Sequence, residues 1–136
     1  MYRIVKKETL NPSVNLYEIE APMTAKTAQP GQFVILRSHK DGERIPITIH
    51  DCDREKGTVT IIVQTVGAAT ERLRHMEQGE FLEDFVGPLG RPTEIEGNKK
   101  VCVIGGGVGC AIAYPVLKKF HDCGAEVHAI AGFRNR

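Results

Sequence analysis

Four glycines within five positions, Gly105, Gly106, Gly107 and Gly109, follow the apolar run Val101-Cys102-Val103-Ile104 and precede Ala111-Ile112-Ala113. A buried strand that turns into a helix through glycines leaves the helix N-terminus bare. Its unpaired N–H groups and partial positive charge then suit a phosphate or pyrophosphate. The glycines allow a tight turn and a close backbone approach to a ligand. The dinucleotide fingerprint G-x-G-x-x-G/A is incomplete: Gly105-x-Gly107-x-x-Cys110 ends on cysteine, with Ala111 one place later. An ordinary strand–helix connection therefore stays open as a reading.

Two further positions could do chemistry. In Glu43-Arg44-Ile45-Pro46-Ile47-Thr48-Ile49-His50, Thr48 offers a hydroxyl to a ring nitrogen of a flat ligand. Pro46 should sit at a sheet edge or where ladder pairing is interrupted, and a plain bulged strand also fits this segment. Gly67-Ala68-Ala69-Thr70 follows a long β-branched run and reads as a helix start with Thr70 as N-cap. That is a second possible anion site, with simple capping as its alternative. Cys52, Cys102, Cys110 and Cys123 form no C-x-x-C pair and are read as reduced structural thiols, so no metal site is expected. His39, His50, His75, His121 and His128 share no motif and are not read as catalytic.

The elements that must position these residues come next. Alternation at 2–8, 14–20, 32–37, 43–50, 57–66 and 80–86, with Gly and Pro turns between, predicts six antiparallel strands, with loops at Pro22 and Pro30-Gly31. Gly87-Pro88-Leu89-Gly90-Arg91-Pro92 and the polar 96–100 read as a linker. Beyond it, Ile112, Val116, Leu117 and Phe120 mark a helix, Gly124 closes it, and 126–131 is a strand. Strand, helix and strand open a doubly wound domain, which needs about five or six strands. The expected fold is a six-stranded all-β antiparallel Greek-key barrel (1–98) followed by the first βαβ unit of an α/β nucleotide-binding domain (99–136), truncated at its C-terminus.

Charge and hydropathy exclude several classes. A net charge of +1 and a pI near 7.7 give no reason to expect nucleic acid or a membrane surface as partner. No apolar run approaches the ~20 residues of a membrane span. Met1-Tyr2-Arg3-Ile4-Val5-Lys6-Lys7 lacks a secretory core, which points to the cytoplasm.

The order R-I-P-I-T, V-G-x-x-T-x-x-L, G-P-L-G-R-P and V-I-G-G-G-V-G resembles the ferredoxin–NADP reductase superfamily. Within it the chain is similar to electron-transfer subunits of the NADH-dependent ferredoxin–NADP oxidoreductase (sulfide dehydrogenase-like) and dihydroorotate dehydrogenase types. The resemblance implies an FAD site on Arg44, Ile45, Pro46, Ile47 and Thr48, with Thr48 facing the flavin N5 as the catalytic position. The family motif arginine falls on Ile45, and Arg44 lies one place earlier. Ile62, Val63 and Gln64 would cradle the flavin, and Gly67, Ala69 and Thr70 its pyrophosphate. Gly105, Gly106, Gly107, Val108 and Gly109 would bind NAD(P); Arg134 or Arg136 leans toward NADP over NAD, with a solvated basic stretch as the equal alternative.

The activity implied is electron transfer between NAD(P)H and an iron–sulfur centre or partner subunit by way of FAD. Implied partners are a second oxidoreductase subunit or ferredoxin. A two-iron, two-sulfur cluster belongs only to full-length relatives. The alternative is a truncated, non-catalytic FAD-binding or protein-docking module. Self-association through the exposed edge of the incomplete second sheet is a further expectation.

Overall fold

In the computed structural model, residues 2–92, 100–106, 109–122, 124 and 126–132 are described. Seven strands, β1 (Tyr2–Asn11), β2 (Val14–Glu20), β3 (Phe33–Arg37), β4 (Ile45–Asp53), β5 (Thr58–Gln64), β6 (Phe81–Leu82) and β7 (Asp84–Leu89), form one sheet in the order β6-β1-β2-β5-β4-β3-β7. Every pairing in it is antiparallel. The strands at its two ends, β6 and β7, are joined by Glu83 alone, so the chain itself closes the sheet into a barrel. Strands β3, β4 and β5 lie side by side with β2 returning beside β5, the Greek-key arrangement.

The expected sixth strand is split in two at Glu83, and its second part runs on through Gly87-Pro88-Leu89, which the sequence reading placed in the linker. β7 passes β3 so closely that a Cβ on Gly87 would lie 2.6 Å from Val34 Cγ1, and this approach requires glycine. Residues expected as loop between β2 and β3 instead form α1 (Pro22–Thr27), with proline in its first turn, where a missing N–H costs nothing.

Alternation in β5 sends Val59, Ile61 and Val63 inward, against Ile4, Tyr17, Ile19, Val34, Leu36, Ile49, Leu82 and Phe85. Two helices complete this core: α1 contributes Ala25, and α2 (Ala68–Arg74) contributes Leu73, both fully buried. Beyond the barrel, β8 (Lys100–Gly106) and β9 (Glu126–Gly132) pair in parallel, with α3 (Gly109–Asp122) between them in sequence. Gly105 and Gly106 are the last residues of β8, paired with Ala131 and Gly132, rather than turn residues.

Tyr17 ties α2 to the barrel. It is 1% exposed, and its hydroxyl donates to the Leu73 carbonyl at 2.9 Å. Burial, helped by the negative charge of Glu77 and opposed by a hydrogen bond with the Asn15 side chain, pushes its pKa from 10.0 up to about 12. A raised pKa means that the folded state keeps this proton longer than the unfolded chain. The stabilisation is complete below pH 10 and is lost as pH rises from 10 to about 12. Tyr17→Phe is expected to cost about 1 kcal/mol at neutral pH and to flatten the fall in urea midpoint across that window. An unchanged alkaline slope in the variant would contradict this assignment.

Candidate functional site

β4 changes partner along its length. Residues 45–48 pair with β3, whereas pairing with β5 covers only Ile49, Asp51, Cys52 and Asp53. Over its first half β4 therefore diverges from β5, whose Ile62–Gln64 end pairs with β2 alone. Pro46, with no N–H to place in a ladder, lies in the diverging half.

The divergence opens a cleft of about 380 Å³, lined by Ile45, Pro46, Ile47, Thr48, Ile62, Gln64, Val66, Thr70 and Ile112. The structure thus brings together residues from three separate stretches of sequence singled out for flavin binding. The Thr48 hydroxyl and the Gln64 amide have no hydrogen-bond partner among the described residues, and both are available to a ligand. Among the described residues, no charged side chain lines this cleft. Its character is apolar, with a few uncharged polar groups, as is usual for small-molecule sites.

Other expected residues lie elsewhere. Val63 is buried in the barrel core, one residue out of phase with the cleft-facing Ile62 and Gln64. Arg44 stands outside the cleft lining, its side chain 63% exposed and its guanidinium 3.6 Å from Asp84, which Arg37 also meets at 2.7 Å. Gly67 and Ala69 form the start of α2 without lining the cleft. Val108 and Gly107 fall outside the described residues, as do Arg134 and Arg136; Gly109 is the first residue of α3.

Thr70 has a different role from the expected N-cap. The cap is Gly67, and Thr70 is the third helical residue. Its hydroxyl accepts from the amides of Val66 and Gly67, both at 2.9 Å, and donates to the Gly67 carbonyl at 3.0 Å. One donor and two acceptor sites are all that a hydroxyl has, so this one is fully committed to shaping the turn.

Two cleft residues escaped sequence reasoning. Val66 is 77% exposed and continues the outward series Ile62, Gln64, a period-two signal that runs past the end of β5. Ile112 was grouped with a single apolar helix face, but it turns to the cleft, while Val116 and Phe120 pack with Val127 of β9. A wider groove of about 1210 Å³ lies farther along β4, between its second half and the later part of α3. Its lining mixes cations such as Lys6 and Arg54 with anions such as Glu18 and Asp53. Among the described residues there is no cluster of metal-ligating side chains and no helix long and apolar enough to cross a membrane.

No protein-family model matches the chain. It is 48% identical over its whole length to the uncharacterized protein in the adh 3′ region of Clostridium beijerinckii, covering 48% of that protein. Over 98% of its length it is 41% identical to the dihydroorotate dehydrogenase B (NAD(+)) electron transfer subunit homolog of Thermotoga maritima, covering 47% of it. All of the chain superposes on 49% of the solved NADH-dependent reduced ferredoxin–NADP oxidoreductase, with a TM-score of 0.97 and 40% identity. The chain belongs to the ferredoxin–NADP reductase superfamily. This reductase-family chain spans about half the length of the curated relatives it matches. Phthalate dioxygenase reductase, with a TM-score of 0.79 at 15% identity, shares its fold.

The Thr70 turn yields a stability prediction. Thr70→Val should cost about 1–2 kcal/mol in urea unfolding by leaving the Val66 and Gly67 amides without their acceptor. Thr70→Ser should stay close to the parent. Equal losses in the two variants would assign the effect to packing and not to the hydroxyl.

Proposed function

We propose that this chain is the flavin-holding part of an electron-transfer subunit, serving exchange between NAD(P)H and an iron–sulfur centre or partner subunit. The observation that carries the reading is the uncharged cleft where β4 parts from β5, which gathers Ile45, Pro46, Ile47, Thr48, Ile62 and Gln64 around one space. Its largely apolar lining and two uncommitted polar side chains suit the isoalloxazine ring of FAD. Pro46 and Ile47 would line the ring, and the Thr48 hydroxyl would hydrogen-bond near N5, on the reactive edge. The pyrophosphate would meet the first-turn amides of α2 at residues 68–70, ahead of the first helical bond, Glu71 N–H to Gly67 carbonyl. When bound, the flavin supplies hydride acceptance and onward electron release; the protein orients it and limits side reactions.

The residues at the end of β8 and the start of α3, Gly105 to Gly109, would hold the nicotinamide nucleotide, with Arg134 near its ribose. This makes 1–98 the flavin domain and 99–136 the opening of the nucleotide domain. A partner subunit or ferredoxin would take the electrons. One observation favours a competing reading, a docking module that has lost its flavin. Arg44 is paired with Asp84 outside the cleft, and Ile45 occupies the motif arginine position.

The visible absorbance spectrum of the purified chain, with chemical release of any flavin, separates the two. Bound FAD is expected; a colourless protein that stays colourless after incubation with FAD would favour the docking module. In the flavin-loaded full-length protein, Thr48→Val should slow reduction by NAD(P)H about tenfold, equivalent to one hydrogen bond of about 1.4 kcal/mol in the transition state. FAD content should remain unchanged. Loss of FAD in this variant would instead give Thr48 a binding role.

A further inference from the structure

β4 carries an extra residue. Its register with β5 steps from Ile49↔Ile61 to Asp51↔Thr60, so two residues of β4 answer one of β5, and His50 is the bulged residue. In a regular strand His50 and Asp51 would point to opposite faces. Here both reach α3. The His50 ring stacks on Tyr114 with centroids 5.0 Å apart and planes at 28°, and Asp51 Oδ1 lies 3.7 Å from Lys118 Nζ. Tyr114 and Lys118, four residues apart, share one helix face. The phase slip shows in the core as well: Ile45, Ile47 and Ile49 pack inward at period two, and Cys52 follows after three.

These contacts lie close to the proposed chemistry on both sides. Thr48 is two residues before His50, about 7 Å along the strand. Gly109 is five residues before Tyr114, about 7.5 Å along the helix. Ile112, two residues before Tyr114, lines the Thr48 cleft itself. On the other side, His50, Asp51 and Lys118 also line the wider groove. These contacts therefore stand between the two cavities.

We infer that the His50 bulge, through its stack on Tyr114 and the Asp51–Lys118 pair, is a latch that fixes the start of α3 relative to the Thr48 cleft. Tyr114 is thereby a positioning residue for hydride delivery, an inference that rests on the flavin reading above. The ring stack carries most of the effect, because the Lys118 and Asp51 side chains are 48% and 42% exposed and such pairs are weak and screened by salt.

Hydrogen exchange of the chain without cofactor tests the latch independently of flavin. Tyr114→Ala should raise exchange in α3 about tenfold while leaving β2 and β5 as in the parent, and Tyr114→Phe should match the parent. Unchanged exchange in α3, or an equal rise throughout the barrel, overturns the latch. In the flavin-loaded full-length protein, Tyr114→Ala should lower the rate of flavin reduction at saturating NAD(P)H about tenfold, with FAD content unchanged. A change confined to KM overturns the positioning role. Failure of the parent protein to take up FAD would overturn the cofactor reading instead, leaving the exchange result to decide the latch.

Discussion

A strand in the middle of a sheet has two edges of backbone N–H and C=O groups to satisfy, and β4 satisfies them in halves. Its first half pairs with β3 and its second half with β5. Everything distinctive about the site follows from that division. Where β4 lacks β5 the barrel wall parts, and Pro46 makes the gap less costly because it brings no donor that needs a partner. Where β5 rejoins, the bulge at His50 takes up the change of course and turns two neighbouring side chains to the same side. The cleft and the contact with α3 are thus two consequences of one irregular strand.

Around that strand the fold works by relayed positioning. Glu83 joins the two end strands of the sheet, β6 and β7, and the register of β2 with β5 runs unbroken from Val14 to Glu20. Tyr17 on β2 then holds the end of α2 through the Leu73 carbonyl, and Thr70 at the start of α2 holds the backbone of Val66 and Gly67. A buried tyrosine on one strand in this way sets the far rim of a cleft whose near wall belongs to another. Each step is a specific hydrogen bond, buried at Tyr17 and partly buried at Thr70, and leaving a partner unpaired costs more the deeper it lies.

Much of this was legible in the amino-acid sequence. β5 announced itself by β-branched alternation, Pro46 by the rule that proline avoids a paired ladder, and the glycines after Ile104 by the strand–helix transition they permit. The misses have physical causes. α1 is six residues long, too short for a hydrophobic stripe, and only Pro22 hinted at a helix start. At α2, Thr70 has the chemistry of a cap residue but acts from the third helical position, reaching back to amides that a residue type alone does not reveal. Val63 was grouped with its neighbours as a cradle, although strict alternation in a one-sided strand sends it into the core. A bulged strand already fitted residues 43–50, but the place of the one-residue phase slip, between Ile49 and Cys52, becomes visible only against the register of β5.

The electrostatic contrast between the two cavities says what each can recognise. The cleft beside Thr48 offers apolar surface and uncharged hydrogen-bonding groups, whereas the groove beyond the latch mixes lysines, an arginine and carboxylates. A flat, neutral, partly polar ring suits the first, because burying it there strands no charge and frees ordered water from apolar walls. Phosphate oxygens do not belong in that wall, and Arg44, held toward Asp84, does not bring a cation into it. Any phosphate attached to such a ring must reach past the rim to backbone amides, and α2 begins at that rim with Gly67, where a Cβ would meet nothing within 4 Å.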